Sequence, residues 1–460
     1  MSSTVGTAQT NQTVDPVGTE ELSDAHLLSD VNEGCWSEIE SAYQTALDFL
    51  RTEKTEDGHW IGQLSTSALS TATAISAMVM AQKQGCVIPS QEEIVSRAIE
   101  QGCTWLMNHQ NFDGGWGDTD RSHSNIATTL LVIAASRLAS GEQTDHQPQI
   151  VQAWKYVDSN GRWDGLRKRY GKDKTFVVPI LSNCALAGLV DWKQVPALPF
   201  EAAWLPQKWY RLAKMPVVSY AIPALVAIGQ AKFHFAPTKI PGLRLLRRLA
   251  IEPTLKVLHR MQPASGGYLE ATPLTSFVLM NLAAIGKGSL PVSQECLKFI
   301  LDSRLPDGSW PIDTNLATWG TSLAWHALSR RSKIQICPAQ SSEAQISAAQ
   351  ISAAQISETL RGYSANHNSN SQRVSAQAKK TAIPSSHSDT RTETEPGDSF
   401  DSQQISEQGL RWLLGCQHRT QHPFTGAIPG GWGWTDLSGA VPDADDTPAA
   451  LLALSYVDWQ

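Results

Sequence analysis

The chain has 460 residues, enough for two or three domains, and 41 % of them are apolar, enough for more than one core. It carries 44 acidic against 37 basic residues, for a formal net charge of −7. That balance argues against a nucleic-acid-binding protein, which would need a clustered basic face. Seven cysteines are scattered without a C-x-x-C pair, which fits free thiols in a reducing compartment and not a disulfide framework.

Residues 1–36 are polar, lack a signal-peptide apolar run and are expected to be a disordered tail. No later stretch is long and apolar enough to span a bilayer, so the expected location is cytoplasmic. From residue 37 one phrase recurs: an apolar helix end, a short gap, then Gly-x-Trp or Gly-Gly-aromatic. It occurs at Asp57-Gly58-His59-Trp60, Asp113-Gly114-Gly115-Trp116, Gly266-Gly267-Tyr268, Asp307-Gly308-Ser309-Trp310 and Gly430-Gly431-Trp432, with Gly161-Arg162-Trp163 as a weaker copy. Several spacings of about 40–60 residues signal a helical array or toroid. The Asp-Gly or Gly-Gly step supplies the positive φ at which a helix stops and turns. The aromatic that follows can staple the turn to a neighbouring helix. Gln110, Gln262 and Gln417 stand at helix ends where they can hydrogen-bond across the same joint, whereas Lys54 and Arg304 replace the glutamine elsewhere.

After each turn a second helix is expected, beginning near Thr66, Asn125, Thr175, Thr275, Thr318 and Asp446. These segments are rich in Ala, Ser, Thr, Leu and Val almost all round, the mark of a buried helix. The first helix of each pair carries more charge and should face solvent. The fold class is therefore all-α: an α/α toroid over residues 37–332, with a partial second α/α domain over 404–460. Between them, residues 333–403 hold a five-residue repeat from Ala344-Gln345-Ile346-Ser347-Ala348 and a Ser/Asn/Thr-rich stretch, a low-complexity linker with too little apolar content to pack. A single helix pair at 404–460 cannot bury its own faces. It must dock on the first domain, meet a partner such as a second copy, or begin a further domain.

The sharpest chemical feature is Pro442-Asp443-Ala444-Asp445-Asp446-Thr447-Pro448, at the start of the last buried helix. Three carboxylates this close cannot all ionise cheaply in a dry site, so at least one keeps its proton near neutral pH. Such a group can protonate a very weak base, for example an alkene. The same residues would also serve as an acidic helix cap or a cation site. Zinc is not expected: no cysteine has an aspartate two residues before it, and the histidines show no paired ligand spacing.

These turns and the Asp443-Ala444-Asp445-Asp446-Thr447 box resemble those of squalene–hopene cyclases and related bacterial class II triterpene cyclases. The resemblance covers most of 37–330 and again 404–460. It implies two α/α-barrel domains around an apolar cavity, an isomerase activity on squalene or a similar linear polyprene, no cofactor, and a monotopic contact with a membrane. Carried over, Asp445 is the proton donor, with Asp443 and Asp446 tuning it. Trp434, Trp319 and Tyr220 are the candidate cavity aromatics, whose ring faces would stabilise a migrating carbocation without capturing it. Leu243-Arg244-Leu245-Leu246-Arg247-Arg248-Leu249 is the candidate membrane helix, with its arginines at the headgroups. In the family the chain runs well past this box and supplies further lining aromatics and a histidine that supports the acid. This sequence ends fourteen residues after Asp446. The alternative expectation is accordingly a non-catalytic or split cyclase remnant, an α/α-repeat module that needs a partner chain to complete the second barrel.

Overall fold

A computed structural model describes residues 33–171, 174–205, 222–329, 406–422 and 425–457. The expected disordered tail and the 333–403 linker lie almost wholly outside these residues, and so does Tyr220. The chain divides into two compact units, Met1–Glu56 and Asp57–Gln460. Among its described residues the first holds one amphipathic helix, α1 (Glu33–Thr52), on which Leu47 is buried and Arg51 pairs with Asp48 at 2.7 Å.

The second unit is all-α, built of helix pairs. Its inner helices are α2 (Ala68–Lys83), α4 (Ile126–Ser140), α7 (Lys174–Leu186), α8 (Ile222–Phe235) and α10 (Thr272–Ala284). Each packs on the next, and α10 packs back on α2, so the ring closes as an α/α toroid. Outside it run α3 (Glu92–Asn108), α5 (Pro148–Ser159), α6 (Arg162–Tyr170), α9 (Pro241–Met261) and α11 (Pro291–Asp302).

The two layers differ for the reason their sequences give. From Ser70 to Ala81 every residue of α2 is buried. Three of its buried hydroxyls bond back to the helix, Thr71 Oγ1, Thr73 Oγ1 and Ser76 Oγ donating to the Ser67, Ser70 and Ala72 carbonyls at 2.7, 2.9 and 2.9 Å, while Ser70 Oγ has no partner among the described residues. Helix α3 buries only the stripe Val95, Ala98, Gly102, Trp105 and Leu106 and begins on Glu92 and Glu93, which suit the positive end of the helix dipole. Among the described residues the only paired strands are β1 (Thr66–Ser67) and β2 (Trp310–Pro311), antiparallel and two residues each.

The repeated turns are hydrogen-bonded joints. At three of them the aromatic side chain donates to a carbonyl near the end of the preceding outer helix: Trp116 Nε1 to Leu106 O at 2.8 Å, Tyr268 Oη to Leu258 O at 3.0 Å, Trp310 Nε1 to Ile300 O at 2.6 Å. Gln110 and Gln262 bridge their own turn and the next outer helix, to Gly114 O and Gln149 O at 2.8 Å and to Gly266 O and Val292 O at 3.0 and 2.9 Å. The aromatic's backbone N–H donates to a threonine Oγ1 on an inner helix, at Thr129, Thr275 and Thr71 in turn, at 3.0–3.1 Å. At Gly266 the turn needs glycine twice over: φ is +86°, and a Cβ would lie 2.5 Å from the Glu295 carbonyl oxygen. The Gly161–Trp163 copy departs from this scheme. Gly161 (φ +81°) caps α6, and Trp163 lies inside that helix instead of stapling a turn.

Three more described helices belong to the unit: α12 (Ala317–Ser329), α13 (Glu407–Gly415) and α14 (Asp446–Leu454). Helix α14 packs on α12. Gln408 donates to Asp57 at 2.7 Å, and the His59 and Trp412 rings stack with centroids 4.2 Å apart. The 406–457 segment thus docks on the rest of the second unit. No helix among the described residues is long and apolar enough to cross a membrane.

Candidate active site at the start of the last inner helix

The acidic box is held by the same joint that builds the repeats. Trp432 is buried, its Nε1 donates to Leu413 O at 2.8 Å, and its backbone N–H donates to Thr447 Oγ1 at 3.0 Å. Thr447 Oγ1 donates back to Trp432 O at 3.1 Å, and Asp443 N donates to the same carbonyl at 3.2 Å. The threonine of the box is therefore a strut between the turn and α14, the role Thr129 and Thr275 play elsewhere.

The three carboxylates have distinct settings. Asp443 Oδ1 accepts from the backbone N–H groups of Asp445 and Asp446 at 2.8 and 2.7 Å. It covers free donors at the N-terminus of α14, as an acidic cap does. Asp446 is buried, and burial pushes its carboxyl up to about 8, with the hydrogen bond and the negative charge of Asp443 and the charge of Asp445 adding to the rise. Asp445 is exposed. One motif thus holds an acidic cap (Asp443), a buried carboxyl whose ionisation burial opposes (Asp446) and an exposed carboxyl (Asp445).

A raised carboxyl has a sign in stability. Below about pH 4 Asp446 is protonated folded and unfolded. Between about pH 4 and its folded value of about 8, the unfolded chain releases a proton that the folded chain retains. Stability therefore falls across that window. Asp446→Asn, which stays neutral, is expected to flatten this part of the profile and to melt higher than the unsubstituted chain at pH 8. Thermal melts of both proteins from pH 4 to 9 check it; parallel profiles would mean that Asp446 ionises freely.

Trp434 and Trp319 come together through the backbone. The Trp434 carbonyl accepts from Thr318 N and Trp319 N at 3.1 Å and so caps the start of α12. The Trp434 ring is half-buried, and its N–H lies near the Asp313 carboxyl without the geometry of a full hydrogen bond. Trp319 is 42 % exposed, beside the α12–α14 contact.

A second acidic group lies beneath this loop and was not singled out in the sequence. Glu270 is fully buried, and its Oε1 accepts from Ser265 Oγ at 2.7 Å and Gly439 N at 2.6 Å. Burial raises its carboxyl, and burial pushes Asp313 up to about 7. Thr435 Oγ1 donates to Asn315 Oδ1 at 2.6 Å, and Ser265 N to Ser438 Oγ at 3.0 Å. The 432–446 loop is thus pinned to the toroid at several points on its way to the box. Among the described residues no group of three or more His, Cys, Asp or Glu side chains is placed to share a metal ion.

The closed ring, the stapled turns and the acidic inner-helix terminus define an α/α-toroid protein with a carboxylate site. Residues 43–228 match the family described as the squalene–hopene cyclase N-terminal domain. It is 24 % identical to a squalene hopane cyclase of Aspergillus fumigatus, over 55 % of this chain and 32 % of that protein. It is 24 % identical to a terpene cyclase–glycosyl transferase fusion protein of Humicola fuscoatra (58 % and 20 %) and 30 % identical to a cycloartenol synthase of Dictyostelium discoideum (36 % and 21 %). The chain spans a third or less of the length of these relatives.

Proposed function

We propose that the chain carries the acid of a class II triterpene cyclase, which protonates a terminal trisubstituted double bond of squalene or a similar linear polyprene. The observation that supports this most is the box itself: Asp443 caps α14, Asp446 is buried with a strongly raised carboxyl, and Asp445 stands outward between them. Asp445 is the carboxyl open to an incoming substrate, and its side chain makes no hydrogen bond among the described residues. Protonation gives a tertiary cation, later double bonds attack in turn, and loss of a proton or capture of water ends the cascade. The aromatic faces of Trp434 and Trp319 stabilise the cation without offering it a lone pair. The reaction is a net isomerisation or hydration and calls for no redox group. Incubation with squalene in detergent, followed by gas chromatography–mass spectrometry, tests the substrate class; return of linear squalene alone would rule it out.

A membrane-surface location has its own support on α9. Leu245, Leu246 and Leu249 face outward with Arg244 and Arg248 between them. One part of the sequence expectation is corrected: Arg247 is buried and pairs with Glu201 at 3.1 Å, so it serves packing and not headgroups. Flotation with liposomes should be lost in Leu245→Glu/Leu249→Glu; protein that never floats would remove the membrane step.

A second reading, a module completed by further helix pairs from another chain, is favoured by one surface. Trp319 and Leu323 on α12 and Leu451 and Leu452 on α14 are 42–55 % exposed on two helices that pack together. Light scattering that finds a monomer at all concentrations would count against it.

A further inference from the structure

A cavity of about 680 Å³ opens between the 3₁₀ turn Trp192–Gln194 and the C-terminal end of α8. Three lysines line it, Lys193, Lys232 and Lys239, against one carboxylate, Asp191. Trp192 and Phe235 form an apolar wall, their rings stacked with centroids 4.9 Å apart. The three cations come from separate elements: the 3₁₀ turn, the inner helix α8 and the link from α8 to α9.

Lys232 is the unusual member. Its residue is 8 % exposed, and its Nζ donates to the Trp192 carbonyl. An ammonium has three N–H donors, and burying it with only a neutral acceptor is unfavourable. Burial accordingly lowers its affinity for the proton, although the negative charge of Asp191 partly offsets this. The Asp191 carboxylate is turned into its own loop, where Oδ1 accepts from Lys193 N at 2.6 Å. Lys193 and Lys239 are exposed and form no ion pair among the described residues. A core lysine is expected to meet a carboxylate; here it meets a cavity edged by two more lysines.

We propose that this cavity binds a phosphate-class oxyanion, with Lys193, Lys232 and Lys239 on its oxygens and the Trp192–Phe235 wall against the organic part of an ester. The site is separate from the acidic box and does not depend on the cyclase reading. The same chemistry is offered by a phospholipid headgroup and by a soluble phosphate or diphosphate. Helix α9, with its outward Leu245 and Leu249, begins at Pro241, two residues after Lys239.

The test uses the full chain and two probes: inorganic diphosphate by titration calorimetry, and flotation with phosphatidylglycerol or phosphatidylcholine vesicles. Lys193→Gln/Lys239→Gln changes only exposed side chains and should keep the fold; Lys232→Met is the deeper variant. Lys155→Gln/Lys298→Gln, also exposed, is the charge-matched control. We expect the Lys193→Gln/Lys239→Gln variant to weaken binding at least fivefold in one arm while the control stays near the unsubstituted protein. Loss of diphosphate binding identifies a soluble ligand. Loss confined to phosphatidylglycerol vesicles identifies a headgroup. If neither probe binds, or if the control loses as much as the site variant, the proposal is overturned.

Discussion

Asp445→Asn is expected to abolish cyclisation, with a fall of at least about 10³-fold in product formation, at the upper end of what a positioned general acid contributes. An alkene is so weak a base that no water or neighbouring amide replaces the carboxylic acid. The fold should be unaffected, because Asp445 is exposed and contributes its backbone N–H to Asp443 Oδ1, which an asparagine at 445 also supplies. Asp443→Asn should do less damage to structure than to chemistry: the amide oxygen can still cap α14, while the negative charge beside Asp446 is lost. Product yields from the three proteins, with circular dichroism to verify folding, check this ordering. An Asp445→Asn protein with more than a tenth of the original yield would transfer the acid to another residue, with Asp446 the first to examine.

The largest loss of stability is expected from Trp310→Ala. Trp310 is fully buried, its Nε1 donates to Ile300 O at 2.6 Å, and its backbone N–H donates to Thr71 Oγ1 at 3.0 Å. It joins the last joint of the ring to α2, the first inner helix, and its ring lies close against Gly102 of α3. Removing an aromatic of this burial typically destabilises by about 3–5 kcal/mol, a large share of the roughly 5–15 kcal/mol that holds a domain together. Trp310→Phe keeps most of the packing and leaves the Ile300 carbonyl without its donor, so it should lose only about 1–3 kcal/mol. Urea unfolding gives both values. An alanine variant within about 1 kcal/mol of the parent would show that the joints do not hold the ring.

Much of this was visible in the sequence for a physical reason. Gly-Gly-aromatic and Asp-Gly-x-aromatic steps are local devices, so the turns at Trp116, Tyr268, Trp310 and Trp432 could be read directly. The inner helices stood out by their all-round small and apolar composition, and α2, α4, α7, α10, α12 and α14 begin within a few residues of the expected points. The threonine partners of the aromatics were not legible, because the ring sets their distance along the chain: 7 residues at Tyr268–Thr275 but 239 at Thr71–Trp310. The weak copy at Gly161–Trp163 had the right residue types in a helix start instead of a turn. Helix α8, with Gln230 and Lys232 inside an apolar run, gave no repeat signal before it.

The site was legible to a similar depth. The box marked three carboxylates, but their division into cap, buried acid and outward acid depends on how α14 is rotated against α12. That rotation follows from the Trp432–Thr447 bonds. Glu270 and Asp313 stand 43 residues apart as isolated acids in loops, and only the folded chain pairs them, through the Ala271–Asp313 bridge and the Thr314 N–Glu270 O bond, beneath the docked 432–446 segment. Tyr220 lies outside the described residues, so its expected place in the lining rests on the family resemblance alone.

If the chain starts a cyclisation by giving a proton to carbon, isotope labelling will reveal it. With the chain and squalene in D₂O, a cyclic product is expected to carry one non-exchangeable deuterium at the carbon that was protonated, and Asp445→Asn is expected to give no such product. A cyclic product without deuterium, labelled product from Asp445→Asn in equal amount, or no cyclic product from the folded chain would contradict it.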